Sequence, residues 1–144
     1  PDLITTWLHQ IFPFQGKDDV LSHMLYEGKI LYLKETFLPD TPKNLLIGYE
    51  PTAIDWCKTH EKQIWASMLG NKHLFSTRQL LITQLIHPAP FTSPISSDSP
   101  GRLGVWIGWQ IVKSYMQNNK NVGLSELMND HNYQQMLEQS HYRP

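Results

Sequence analysis

The chain has 144 residues, 12 Lys and Arg against 13 Asp and Glu, a net charge of −1 and 40% apolar residues. That is long enough for one domain with a real core, and the near-neutral charge speaks against nucleic acid, whose readers carry a basic patch. No apolar run approaches the ~20 residues of a membrane-spanning helix, no signal peptide is visible, and the single cysteine, Cys57, allows neither an intrachain disulfide nor a cysteine-rich zinc module.

Leu3, Ile4, Trp7, Leu8, Ile11 and Phe12 fall on one helical face, and Pro13 ends that helix. Asp18 and Asp19 suit the start of the next helix, by capping and by the macrodipole. Its wide apolar face runs from Val20 to Leu38. Glu27 and Gly28 stand in its middle, where glycine costs about 1 kcal/mol against alanine. Two readings follow: a ligand or catalytic Glu27 beside a tight backbone contact, or a glutamate on a packed helix.

Residues 45–50, LLIGYE, read as a short extended or loop piece. Pro51 suits the first turn of a helix over 52–69, stopped by Gly70 and Asn71. Within it, Cys57 reads as small packing material rather than a nucleophile. Ser76 is a candidate cap for a helix over 77–86, closed by Pro88 and Pro90. Residues 88–101, PAPFTSPISSDSPG, form a Pro/Ser-rich loop of a length that in compact domains is often functional or mobile. Residues 102–118 make the most apolar helix, and residues 125–138 the last, with Ser125 as its cap. The fold class is all-α or mostly α, a single helical domain over 1–144 with about five to six helices. The chain begins at Pro1 directly in helix-like sequence, which reads as a fragment of something longer.

The chemistry centres on TTWLH, residues 5–9. Zinc peptidases of the gluzincin kind carry HExxH on one helix, two His four residues apart with a Glu as general base, and take a third ligand, Glu, from the next helix. His9 stands where the second His would stand, and Glu27 follows 18 residues later. Thr5 and Thr6 replace the first His and the base. Threonine supplies no imidazole and cannot act as a base near neutral pH. His23, four residues before Glu27 on the same face, could complete a His9, His23, Glu27 zinc set, or it could pair with Glu27 as a surface or interhelix hydrogen bond.

HEKQIW, residues 60–65, begins like the same motif but has Ile64 in the fifth position, so Glu61 reads as solvated or ion-paired. Gly104 and Gly108 are four apart and admit a close helix backbone. Trp106 and Trp109 read as core or interface anchors, and Arg102 can reach Glu27 or Glu61. Neither a GxSxG elbow nor a glycine-rich phosphate loop occurs.

YEGKILYLKETFLPD, IGYEPTAIDWCKTHEKQIW, LFST, HPAPF and DSPGRLGVWIGWQIVKSYMQNN together resemble the gliding-motility lipoprotein B (GldB) family of Bacteroidota, in that family's order. The blocks run from about Met24 to the end, with residues 1–23 the looser part. The resemblance implies the C-terminal part of a chain about twice as long, anchored to a membrane through a lipidated N-terminal cysteine outside this sequence. It implies a periplasm-facing lipoprotein of the bacterial cell envelope, required for gliding motility and type IX secretion, with other envelope proteins of that apparatus as partners.

The resemblance also implies a gluzincin-like fold in which the Glu-Gly pair follows the HExxH helix. With Thr5 and Thr6 in place, that makes a pseudo-peptidase: a scaffold without catalysis, cofactor or nucleic acid, which binds a protein partner. Trp106, Trp109, Arg102 and Glu27 are its expected binding residues, in an aromatic groove near the 88–101 loop. The alternative is a zinc-dependent hydrolase built on His9, His23 and Glu27.

Overall fold

The structure, a computed structural model, describes residues 3–144. Among these residues there are eight helices: α1 (Leu3–Ile11), α2 (Val20–Phe37), α3 (Lys43–Ile47), α4 (Pro51–Gly70), α5 (Gln79–Ile86), α6 (Leu103–Asn118), α7 (Leu124–Asn129) and α8 (Tyr133–Ser140). Six of them have seven residues or more, and among the described residues there is no strand. The helical class expected from the sequence holds. The larger count comes from short helices that periodicity passes over.

Helix α2 is the axis of the fold. Asp19 caps it, its carboxylate accepting from the Ser22 N–H at 2.9 Å. Twelve of its eighteen residues are buried, too many for one apolar stripe, so neighbours cover it on several sides. The main neighbour is α6, and the two cross glycine on glycine. A Cβ on Gly28 would lie 2.4 Å from the Gly108 carbonyl, and one on Gly108 would lie 1.9 Å from the Met24 oxygen. Gly28 is therefore there for the crossing. Gly104, one turn earlier on α6, meets Leu85 of α5 instead. The two glycines of α6 thus admit two different helices.

LLIGYE is not extended. Its first residues belong to α3, which stops at Gly48 in the left-handed conformation (φ 80°, ψ 29°). The Lys34 ammonium donates to the Leu46 carbonyl at 2.5 Å, and the Arg102 guanidinium donates to the Ile47 carbonyl. Two cations from distant positions thus neutralise the carbonyl end of a five-residue helix.

The helix expected over 77–86 starts at Gln79, with the Ser76 hydroxyl accepting from the Arg78 N–H in the turn before it. The helix expected over 125–138 is two helices. Asp130 accepts from the Asn132 N–H at 2.9 Å, and Asn132 in turn caps α8 by accepting from Gln135 N–H at 3.2 Å. Short side chains that compete for the backbone break the run there.

The 88–101 loop is tied down. Buried Thr92 donates its hydroxyl to the Pro100 carbonyl at 2.8 Å and accepts from the Leu103 N–H at 3.1 Å. Ser99 accepts from the Thr92 N–H at 3.0 Å, and the Tyr49 hydroxyl donates to the Gly101 carbonyl at 2.5 Å. The loop acts as a fixed strap that leads into α6.

Candidate functional site

Helices α1, α2 and α3 and the first turn of α6 enclose a cleft of about 500 Å³. Thr5, Thr6 and His9 line it from α1, Glu27, Ile30, Leu31 and Lys34 from α2, and Arg102 and Val105 from the start of α6. Glu27, Leu31 and Lys34 share a face of α2 because they recur at helical spacing. At the centre, His9 Nε2 lies 2.7 Å from Glu27 Oε1. The imidazole also stacks on Tyr26, with centroids 5.6 Å apart. The hydrogen bond to Glu27 raises the His9 pKa above 6.5. Burial opposes that rise, the Glu27 charge adds to it, and the Lys34 charge subtracts from it.

The cleft thus joins the two residues whose spacing marked them in the sequence, and adds Arg102. His23 goes elsewhere. Its Nε2 lies 2.7 Å from Asp18 Oδ1, and its ring stacks flat on Phe14 at 4.1 Å. The candidate zinc set of His9, His23 and Glu27 is therefore not assembled, because the α1–α2 turn draws His23 to its own partners. Among the described residues no three His, Cys, Asp or Glu side chains gather as a metal site. A catalytic zinc needs three protein ligands, and this cleft offers one imidazole and one carboxylate that hold each other.

Trp106 and Trp109 do not line the expected groove. They are 3% and 1% exposed, so neither ring faces a groove. Trp109 is a core post: its indole N–H donates to Glu35 at 3.2 Å, and the Lys113 ammonium caps its ring at 4.5 Å. Arg102 takes the Ile47 carbonyl and lies over the Tyr49 ring, while Glu61 accepts from the Tyr142 hydroxyl at 2.7 Å. The allowed pairs from Arg102 to Glu27 or Glu61 give way to these contacts. His60 donates Nδ1–H to the Trp56 carbonyl at 2.7 Å and stacks on that ring, so HEKQIW is packing. Cys57 is buried, and burial first, then the Glu61 charge, pushes its thiol up to about 12.

Lys34 was missed from the sequence. It is 2% exposed and still reaches the cleft. Its seven-residue spacing from Glu27, two turns along one face, was the available signal.

A family model described as gliding motility protein GldB matches residues 1–144. The match extends through residues 1–23, where the sequence blocks were loosest. No curated protein matches, and no solved structure does, so neither comparison supports the expected gluzincin-like fold. The family's lipoprotein designation points to the cell envelope, and among the described residues no helix is long and apolar enough to cross a membrane. With the family model covering every residue, the chain belongs to the gliding motility protein GldB family.

Proposed function

We propose that this domain serves gliding motility, and the linked type IX secretion apparatus, as a non-catalytic scaffold on the periplasmic side. Its cleft holds an extended segment of a partner envelope protein without cutting it. The observation that carries this reading is the His9–Glu27 pair at 2.7 Å, with Thr6 where a general base would stand. The carboxylate that a peptidase would give to a metal is engaged with an imidazole, and the motif lacks its base. What is left is a lined cleft with the Glu27 carboxylate and Lys34 along its α2 wall and Arg102 at the start of α6. A peptide backbone offers both N–H and C=O groups, and these walls supply acceptors and donors for both. The reading assigns no metal to the cleft.

The test places a photo-crosslinking residue at Thr5, on the wall of the cleft, in cells that carry the full-length gene. Crosslinks to a protein of the gliding or secretion apparatus, lost on Arg102→Glu, together with spreading defects from Glu27→Ala, are the expected result. Peptide hydrolysis by purified protein supplied with zinc, abolished by Glu27→Ala, would overturn it.

A further inference from the structure

On another side of α2, Lys29 lines a second, smaller cavity of about 150 Å³. Ile11, Phe12 and Pro13 from the end of α1, Met128 from α7, and His131 from the α7–α8 junction surround it. Lys29 is 1% exposed. Its ammonium donates to the Asp130 carbonyl at 2.9 Å and lies 4.8 Å from the centre of the Tyr133 ring. An ammonium has three N–H donors, so one hydrogen bond leaves it underused. Among the described residues no carboxylate comes within ion-pair distance of it. Buried charges are ordinarily paired, because an unpaired one loses its hydration with nothing in return. The buried Tyr133 hydroxyl beside it also has no hydrogen-bond partner. The Tyr26 hydroxyl is committed elsewhere, donating to the Phe12 carbonyl at 2.6 Å.

A buried cation with spare donors faces a cavity of mixed lining, apolar at Ile11, Phe12, Pro13 and Met128 and polar at Gln15, Asn129 and His131. That combination fits an anion with a small polar head on an apolar stem. A single ammonium, without arginine, matches a monoanion better than a phosphate, which recruits several donors or a bidentate guanidinium. We infer that the cavity is a carboxylate-binding site, in which an acid group pairs with the Lys29 ammonium while its stem lies against Phe12, Pro13 and Met128. The acid can come from a free short-chain carboxylate or from the C-terminus of a peptide. The site is separate from the His9–Glu27 cleft, and its failure would leave the reading of that cleft intact.

Burial pushes the Lys29 amine down to about 8, with the Asp130 charge opposing. An arriving carboxylate favours the charged form and raises that value again. Besides Lys29, the titratable groups facing the site are Tyr26 from α2, Asp130 and His131 from the α7–α8 junction, and Tyr133 from α8. Binding therefore weakens as pH rises past about 8, as the amine loses its proton.

The experiment is an NMR titration of lysine-labelled protein with acetate, propionate, and acetyl-trialanine as its free acid and as its C-terminal amide, at constant ionic strength. The expected result is a saturable shift of the Lys29 side-chain signal and a raised Lys29 pKa. The tripeptide acid binding about tenfold tighter than acetate, with its amide silent, assigns a peptide terminus. Acetate and propionate binding while the tripeptide does not assigns a free small acid. No saturable shift with any probe overturns the site. Lys29→Met should abolish the ligand-induced amide shifts of residues 129–131, and their persistence in that variant also overturns it. Should Lys29→Met fail to fold, Ile11→Trp blocks the rim from an exposed position and should weaken binding with Lys29 in place.

Discussion

Gly28 and Gly108 sit where the backbones of α2 and α6 meet. Alanine at Gly108 would drive its Cβ into the Met24 carbonyl, a backbone group that cannot swing aside. Gly108→Ala should therefore cost about 3 kcal/mol, at the upper end for overpacking, measured by urea unfolding. Gly70→Ala is the control. Its Cβ meets nothing within 4 Å, and its backbone is helical. That change should be neutral or stabilise by up to about 1 kcal/mol. At the same scale, the His9–Glu27 pair predicts a direction with pH. A raised His9 pKa means that its contribution to stability is complete below the unfolded value of 6.5 and is lost as pH climbs through the folded value. The gap in melting temperature between wild type and Glu27→Gln should narrow on that climb. A gap that stays constant with pH would remove the ion pair from the account. Cys57 gives a third test. Its buried thiol, pushed up to about 12, should resist alkylation in the native protein and react only as the chain unfolds.

At the scale of elements, the break between α7 and α8 depends on Asn132. Asn132→Ala removes a cap and should cost about 1 kcal/mol, read as lost amide protection in α8. Helices α1, α2 and α4 were legible in the sequence because Pro13, Asp19, Pro51 and Gly70 mark their ends in local code, and α6 was legible as the most apolar run. Helix α3 was not legible. Its carbonyl end is satisfied by Lys34 and Arg102, which lie 12 and 55 residues away in sequence from their acceptors. Helices α7 and α8 merged in the sequence reading because apolar spacing continues through Asp130 and Asn132, and only side-chain-to-backbone bonds separate them. At the site, His9 and Glu27 were legible from spacing, and Arg102 joined them. Trp106 and Trp109 were misplaced because α6 is buried on most of its circumference, so ring size carried no information about which side faced out. Lys29 and Lys34 escaped notice because a lysine on a helix ordinarily faces water.

The whole molecule is held unevenly. Helix α2 is wrapped by α1, α5, α6 and α8, whereas α4, the longest helix, buries only Ile54, Cys57, Ile64 and Met68. The segment after α8 reinforces it. The Tyr142 hydroxyl donates to Glu61 at 2.7 Å, and its ring meets Trp65 edge-on at 5.1 Å. Burial pushes the Tyr142 pKa far above the ordinary tyrosine range, in keeping with a hydroxyl that keeps its proton and its bond. Ending the chain at His141 should therefore raise hydrogen exchange across the middle of α4 and leave α2 and α6 protected.

That contact also has a consequence for timing. During synthesis α4 emerges some eighty residues before its anchor, since Glu61 and Tyr142 are 81 positions apart. The longest helix of the domain thus lacks its tether until residue 142 has been made. For that interval the Trp65 ring lacks its edge-on contact with Tyr142.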